Sequence, residues 1–412
     1  MSCIMCFFEN HQQNIIKKNS YTNSKFEEAL KTYKQNFIKE LKEMESIETC
    51  KCCQQNNYPK KFVEDTNLFL KDLNENYDYI NEVFDEIINI YLTYITQVRI
   101  RAYSSMLSFL NKTIKEKDFE TDNAFSKPMF RIRKKDNKYN SEEFYEYTHL
   151  PFNKRYLSGN NRFSVCGKPM IYMAESIEVA LKETNIEDIN NANVALFIPN
   201  PEKLKGEVYD ITNKIIDTLY RVLSFYKQSD NNSLEDYTTR THTFSRHNFK
   251  NLISKTILYQ IMIFPKRHSG PFIQEYVIPQ LLMDVLNSMN EYNGIVYETS
   301  KQCTWKQKNT IDSLPDKNYC FFVPYIDNDD YNKEFLGKFF YSIYNEKAKK
   351  NNIDIDNVEQ LLNTKKLPGS INHHIKHHIN NMRTCINEKY YETNIGKIES
   401  TLLYELINKT EK

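Results

Sequence analysis

The sequence predicts an α+β protein in which a helical, cysteine-containing domain precedes a mixed strand-and-helix domain and a polar helical extension. Three observations carry this. Apolar residues recur every three or four positions through the first quarter of the chain, the mark of amphipathic helices. From Phe130 the texture changes to short apolar runs separated by loops, the mark of strands. The length, 412 residues, is nearly three times the ~150 of an average domain, so more than one folding unit is expected.

In chain order, Ser24-Lys25-Phe26-Glu27 has the form of a capping box, and Phe26, Leu30, Tyr33, Phe37, Leu41 and Met44 form one stripe, which predicts a helix over 24–47. Leu73, Tyr77, Ile80, Phe84, Ile87, Tyr91, Ile95 and Val98 continue as a second, longer helical pattern that persists to about Lys117. The polar stretch from Glu116 to Pro128 breaks the period and closes a first domain, 1–125. A second domain, 129–325, follows. Its strands are predicted at Met170 to Met173, Val194 to Ile198, Ile257 to Phe264, Gly294 to Tyr297 and Tyr319 to Val323, with helices at 176–185, 211–226 and 276–290. The remainder, 326–412, reads as a polar helical extension, and there is no internal repeat.

Composition excludes several functions. Lys plus Arg number 55 and Asp plus Glu 54, so no global field draws the chain toward nucleic acid or acidic membranes. Only 8 residues are Gly, against a background near 7%, which argues against glycine-rich phosphate loops and a G-x-G-x-x-G dinucleotide fold. No apolar run is long enough to span a bilayer. The start, MSCIMCFFENHQQN, has neither the basic opening nor the apolar core of a secretory signal. Nine cysteines without an export signal place the chain in a reducing cytoplasm, with thiols free or bound to metal.

Cys3/Cys6 and Cys50/Cys53 form two C-x-x-C pairs that flank the 24–47 helix. A helix that returned its ends to one place would gather four thiolates, the donor set of a structural Zn²⁺ with Zn–S near ~2.3 Å. The 43 residues between the pairs exceed the usual ribbon spacing, and cysteines that merely fill apolar gaps are the alternative.

The second domain opens with Phe130-Arg131-Ile132-Arg133, whose alternation puts both Arg side chains on one face, where two guanidiniums suit a diphosphate. Then come His149-Leu150-Pro151-Phe152-Asn153-Lys154-Arg155 and Asn161-Arg162-Phe163-Ser164-Val165-Cys166-Gly167-Lys168-Pro169-Met170-Ile171-Tyr172. Ser176 can cap a helix with the inward stripe Ile177, Ala180, Leu181 and Thr184, leaving Glu183 at its edge. Much later stand Glu275-Tyr276-Val277-Ile278-Pro279-Gln280-Leu281-Leu282 and Gly294-Ile295-Val296-Tyr297-Glu298-Thr299-Ser300-Lys301.

This ordered set resembles the RES domain family, in the bacterial branch carrying H-x-P-F-x-x-R, R-[FY]-S-x-x-G-x-P-x-x-Y, E-Y-x-I-P-Q-L-L and G-I-x-Y-x-S. The match covers about 129–325, and the first domain resembles the helical, HEPN-RES-like domain of longer members. The resemblance implies an ADP-ribosyltransferase-like fold and an enzyme that cleaves the nicotinamide–ribose bond of NAD⁺, as glycohydrolase, phosphorylase or ADP-ribosyl transferase. It further implies a growth-arresting toxin with a cognate antitoxin. By motif position Arg131, Glu183 and the Thr299/Ser300 pair take the catalytic places, and Arg162, Tyr172, His149 and Arg155 fall in the NAD⁺-binding motifs. The chain departs from the family pattern at Thr299, where Ser is expected, with Ser300 one place later.

The residue types suit that chemistry. Nicotinamide leaves as a neutral base and positive charge develops on the ribose, which favours a nearby carboxylate and a clamped diphosphate. Plainer roles exist for several: Arg133 as a solvated or paired strand residue, Tyr172 as a core aromatic, His149 as a loop tie. His373/His377 and His374/His378 have helical i,i+4 metal spacing without a third ligand, so a solvated polar helix is expected. Two other function classes compete: a HEPN-type ribonuclease through Arg240 and His247, and a non-catalytic, zinc-organised interaction protein.

Overall fold

The structure is a computed structural model that describes residues 2–22, 25–114, 127–136, 140, 142–204, 206–212, 214–228, 246–299, 317–349, 353–384 and 390–410. The chain forms two compact units, Met1–Phe119 with Ile211–Val285, and Glu120–Asp210 with Leu286–Lys412. The segment 211–285, inside the RES-like span, thus folds with the amino-terminal helices.

The first unit is helical among its described residues. Asn10–Ser20 and Phe26–Lys42 form a helical hairpin, followed by Lys60–Glu75, Tyr77–Thr96 and Arg99–Ile114, and later by Lys214–Gln228 and Arg246–Met262. Tyr33, Phe37, Phe84 and Phe264 meet edge to face at its centre, with ring centroids 5.1 Å apart for Tyr33–Phe264 and Phe37–Phe84. Ser24 of the expected capping box lies outside the described residues. The helix starts at Phe26, whose N–H donates to Gln274 Oε1 at 3.0 Å.

Two expectations need correction here. The long pattern from Leu73 is interrupted twice, because Asn76 turns its side chain onto the Asp72 carbonyl (2.8 Å) and Gln97 is extended, so Ile95 and Val98 end exposed. The run Ile257 to Phe264 is not a strand: residues to Met262 close the Arg246–Met262 helix. That helix buries Ser254, Thr256 and Gln260 as well as Ile253, Ile257, Leu258, Tyr259 and Ile261, and a run buried on all sides has no period that separates helix from strand.

The second unit is built on a seven-stranded sheet. Its strands are β1 (Met129–Lys134), β2 (Met170–Ala174), β3 (Ala192–Pro199), β4 (Glu207–Asp210), β5 (Tyr292–Glu298), β6 (Lys317–Phe322) and β7 (Phe339–Ile343). They lie in the order β4-β5-β6-β2-β1-β3-β7, antiparallel except for β4 beside β5. Strand alternation separates two cores. Phe130, Ile132, Val194, Leu196 and Ile198 pack on one face with the helices Ile177–Thr184, Ile355–Thr364, Gly369–Thr384 and Asn394–Lys409. Met129, Ile171, Met173, Ala195, Phe197 and Phe321 pack on the other. The stretch after residue 325 supplies strand β7 and the buried Leu402, Leu403, Leu406 and Ile407, so it is part of this core and not only a polar helical tail.

Candidate active site and cysteine centre

The helix Ile177–Thr184 positions Glu183. Ser176 caps it, accepting from the Val179 N–H at 3.3 Å, and Asn185 ends it in the left-handed conformation. Glu399, fully buried, accepts the Ile177 N–H at 3.2 Å and the Tyr390 hydroxyl at 2.8 Å on Oε1, with His378 Nε2 3.2 Å from Oε2. Of the expected inward stripe, Ile177, Ala180 and Leu181 are buried while Thr184 is exposed, its hydroxyl turned to the Ala180 carbonyl at 2.8 Å.

Glu183 itself is half-buried. Its Oε1 accepts the Thr299 hydroxyl at 2.6 Å and the Asn318 amide at 3.1 Å. Thr299 follows β5 and Asn318 lies on β6, where the register opposes Asn318 to Tyr297 on one side and to Ala174 on the other. One sheet face therefore holds Tyr172, Cys320, Tyr297 and Asn318. Ser300 and Lys301 lie outside the described residues.

Tyr172 donates to Ser164 Oγ at 2.9 Å, and burial raises its pKa well above the ordinary phenol value, so it remains a neutral donor. The Ser belongs to a tight turn in which Asn161 and Ser164 exchange backbone bonds at 3.2 and 3.3 Å, with half-buried Arg162 at its crest. Phe163 tucks under this turn against Tyr297, ring centroids 4.4 Å apart. Gly167, at φ +82°, takes a backbone conformation that other residues rarely adopt, which accounts for the Gly in the motif. Burial also pushes the Cys320 thiol up to about 12, leaving it protonated at neutral pH.

Arg131 stands where β1 and β2 part, since these strands pair only at Phe130↔Ala174. Its Nη1 donates to the Tyr172 carbonyl at 2.9 Å, while Nε is shut from solvent without a partner. Burial, with the neighbouring Arg133 cation, pushes Arg131 down to about 9, so it keeps its charge at pH 7. Arg133 is tied through Nε to the Glu146 carbonyl.

His149 is fully buried between two backbone groups: Nε2 accepts the Asn332 N–H at 3.2 Å, so Nδ1 donates to the Leu150 carbonyl at 2.8 Å. Burial holds its pKa below the usual value, and the neutral ring is a loop tie. Arg155 is exposed and lies 5.1 Å from the Tyr325 ring centroid. Glu275 and Gln274 belong to the first unit, where Glu275 accepts the Tyr21 hydroxyl and Gln274 Oε1 accepts from Phe26 N and from the Tyr91 hydroxyl at 3.3 Å.

Sequence reasoning missed Asn318, Glu399 and Glu175. Asn318 opens the run Tyr319-Cys320-Phe321-Phe322, and its position there does not say which neighbour its amide meets. Glu175 is buried beneath the Tyr319 hydroxyl, with Lys127 Nζ at 3.6 Å. Of the four carboxy-terminal histidines, His378 pairs with Glu399 and His377 with Asn381, and the one metal-competent set among the described residues is the cysteine cluster. Arg240 and the side chain of His247 lie outside the described residues.

The cysteine centre joins Cys3, Cys6, Cys50 and Cys53, whose sulfurs all lie within 4.8 Å of one another. A single helix cannot bring its own ends together. The hairpin of Asn10–Ser20 and Phe26–Lys42 does so, returning the chain until Glu45 bridges Cys3. The helix Ile4–Phe8 sets Cys6 one turn beyond Cys3, and a turn with Cys53 N–H on the Cys50 carbonyl (2.9 Å) sets the second pair. Sulfur separations of 3.5 Å (Cys3–Cys53, Cys6–Cys53) and 3.7 Å (Cys6–Cys50) match the ~3.8 Å edge of a tetrahedron with ~2.3 Å Zn–S arms. The hydrogen bonds among the sulfurs hold the Cys53 thiol below its ordinary value and push Cys3 and Cys6 up. These residues could hold a metal ion.

Among curated proteins the chain is similar to "Putative toxin YopC" of Bacillus subtilis (strain 168), 25% identical over 175 residues, which are 42% of this chain. The match spans about a third (36%) of that protein's length. No family model matches the chain, and no solved structure does. Among the described residues no helix is long and apolar enough to cross a membrane.

Proposed function

We propose that the second unit is a RES-type catalytic domain that cleaves the nicotinamide–ribose bond of NAD⁺, and that the protein is a toxin which arrests growth until a cognate antitoxin binds it. The observation that carries the reading is the convergence of Thr299 and Glu183, picked from motifs 116 positions apart, at 2.6 Å on a sheet face shared with Tyr172. The distant likeness to a protein named as a toxin supports the second half.

In this reading the Glu183 carboxylate faces the positive charge that develops on the ribose as neutral nicotinamide departs. Thr299 fixes the carboxylate by donating its hydroxyl to it. Tyr172 offers a ring for the nicotinamide, and the Arg131 cation adds positive potential beside the place of the diphosphate, with Arg162 on the neighbouring turn. Water, phosphate or a protein side chain then takes the ribosyl cation. In the first unit, Cys3, Cys6, Cys50 and Cys53 hold one structural Zn²⁺.

Purified protein should release nicotinamide from NAD⁺, and the mass of the second product, with and without phosphate, identifies the acceptor. Glu183→Gln should lower turnover at least 10²-fold while NAD⁺ binding persists, because it removes charge and keeps shape. Wild-type protein that leaves NAD⁺ intact, in vitro and when expressed, would overturn the reading.

A further inference from the structure

We propose that Asn318 is a positioning residue for Glu183, its side-chain amide fixing the plane of the carboxylate; this rests on the reading of Glu183 as the catalytic acid group. Asn is disfavoured inside strands, and burying its amide without a partner is costly. Yet Asn318 is 4% exposed in β6, among Tyr319, Cys320, Phe321 and Phe322. The burial is explained by what the amide meets, Glu183 Oε1 at 3.1 Å, the atom that also takes the Thr299 hydroxyl.

Two donors from separate backbone segments do what one cannot. A hydroxyl on a rotatable Cβ–Oγ bond follows its acceptor, so Thr299 alone leaves the carboxylate free to turn about its last torsion. The planar amide of Asn318 is anchored in a paired strand, with the small Ala174 opposite it on β2, and restricts that turn. An Asp of the same shape would set a second carboxylate about 3 Å away, where like charges cannot comfortably both ionise.

The test compares Asn318→Ala with Asn318→Asp. Loss of a hydrogen bond to a charged group, about 1.5–3 kcal/mol, predicts a roughly 10- to 100-fold fall in kcat for Asn318→Ala with KM nearly unchanged, and a larger fall for Asn318→Asp. A role in filling space predicts the reverse order, and Asn318→Asp milder than Asn318→Ala would overturn the proposal. A substrate-independent arm uses urea unfolding: Asn318→Asp should destabilise, and the double change Glu183→Gln with Asn318→Asp, which exchanges donor and acceptor, should recover most of the loss. No recovery would also overturn it. Recovery in protein that never releases nicotinamide would leave the contact standing and refute the proposed reaction instead.

Discussion

Glu183 sits in the last turn of its helix, where a negative charge opposes the macrodipole at a cost of about 0.3–1 kcal/mol. It is kept there against local preference and met by two side-chain donors, as the proposed role of its carboxylate requires. Thr299→Ser should therefore retain most nicotinamide release, since it keeps the hydroxyl, whereas Thr299→Ala should lose about 10- to 100-fold. His149 provides a different test. Its folded-state pKa lies below the unfolded value near ~6.5, so the unfolded chain binds more protons and stability falls as pH drops through that region. His377 shifts the same way through burial. Urea midpoints should decline between pH 7 and 5, and less steeply in His149→Asn. At this scale Glu183 and Thr299 stand out in the sequence because the motifs they resemble fix identity and order, and the structure adds their contact. Asn318 does not, because β6 reads as an apolar run and nothing in its spacing says which neighbour the amide will meet.

Among the elements, β1 was legible by its alternation and β2, β3, β5 and β6 as short apolar runs bounded by loops, together with the helix Ile177–Thr184 and its Ser176 cap. The helix Arg246–Met262 gives no helical period because residues 256–262 are buried on every side, and β7 is hidden in the sequence because Phe339-Phe340-Tyr341-Ser342-Ile343 lies in a polar surround. The least legible feature is the buried Glu399, remote in sequence from the helix start that it holds. Glu399→Ala would strip partners from the Ile177 N–H, the Tyr390 hydroxyl and His378, and burial keeps water from replacing them. The expected loss is roughly 2–5 kcal/mol in urea denaturation, with Glu399→Gln costing less because it can keep one acceptor in place. Gly294 is constrained more simply. A Cβ there would meet the Cys320 carbonyl oxygen at 2.2 Å, so Gly294→Ala should separate β5 from β6 and lower expression of folded protein.

Across the whole molecule, chain order and folding unit do not coincide. The first unit draws on both Met1–Phe119 and Ile211–Val285, and Tyr226 donates to Asp65 and Tyr220 to Glu9 within it. A fragment ending near residue 125 would lack those partners, so it should show little cooperative unfolding by circular dichroism. Within the same unit, a bound metal would be linked to folding, because four sulfurs spaced 3.5–3.7 Å along three edges can all give up their protons together only beside a cation, and the unfolded chain does not gather them. Elemental analysis of protein purified without chelator should give one zinc per chain. Stripping it should raise hydrogen exchange in Ile4–Phe8 and around Cys50 to Cys53, where the backbone is held by the two knuckles, while β1 and β3 keep their protection because their ladder runs unbroken from Met129↔Phe197 to Lys134↔Ala192. Cys6→Ser should reproduce the stripped pattern with zinc still in the buffer. Unchanged exchange at both knuckles after zinc removal would mean that packing of Phe7, Phe8 and Phe37 suffices to hold the hairpin closed, and the cysteines would then be core residues and not a metal centre.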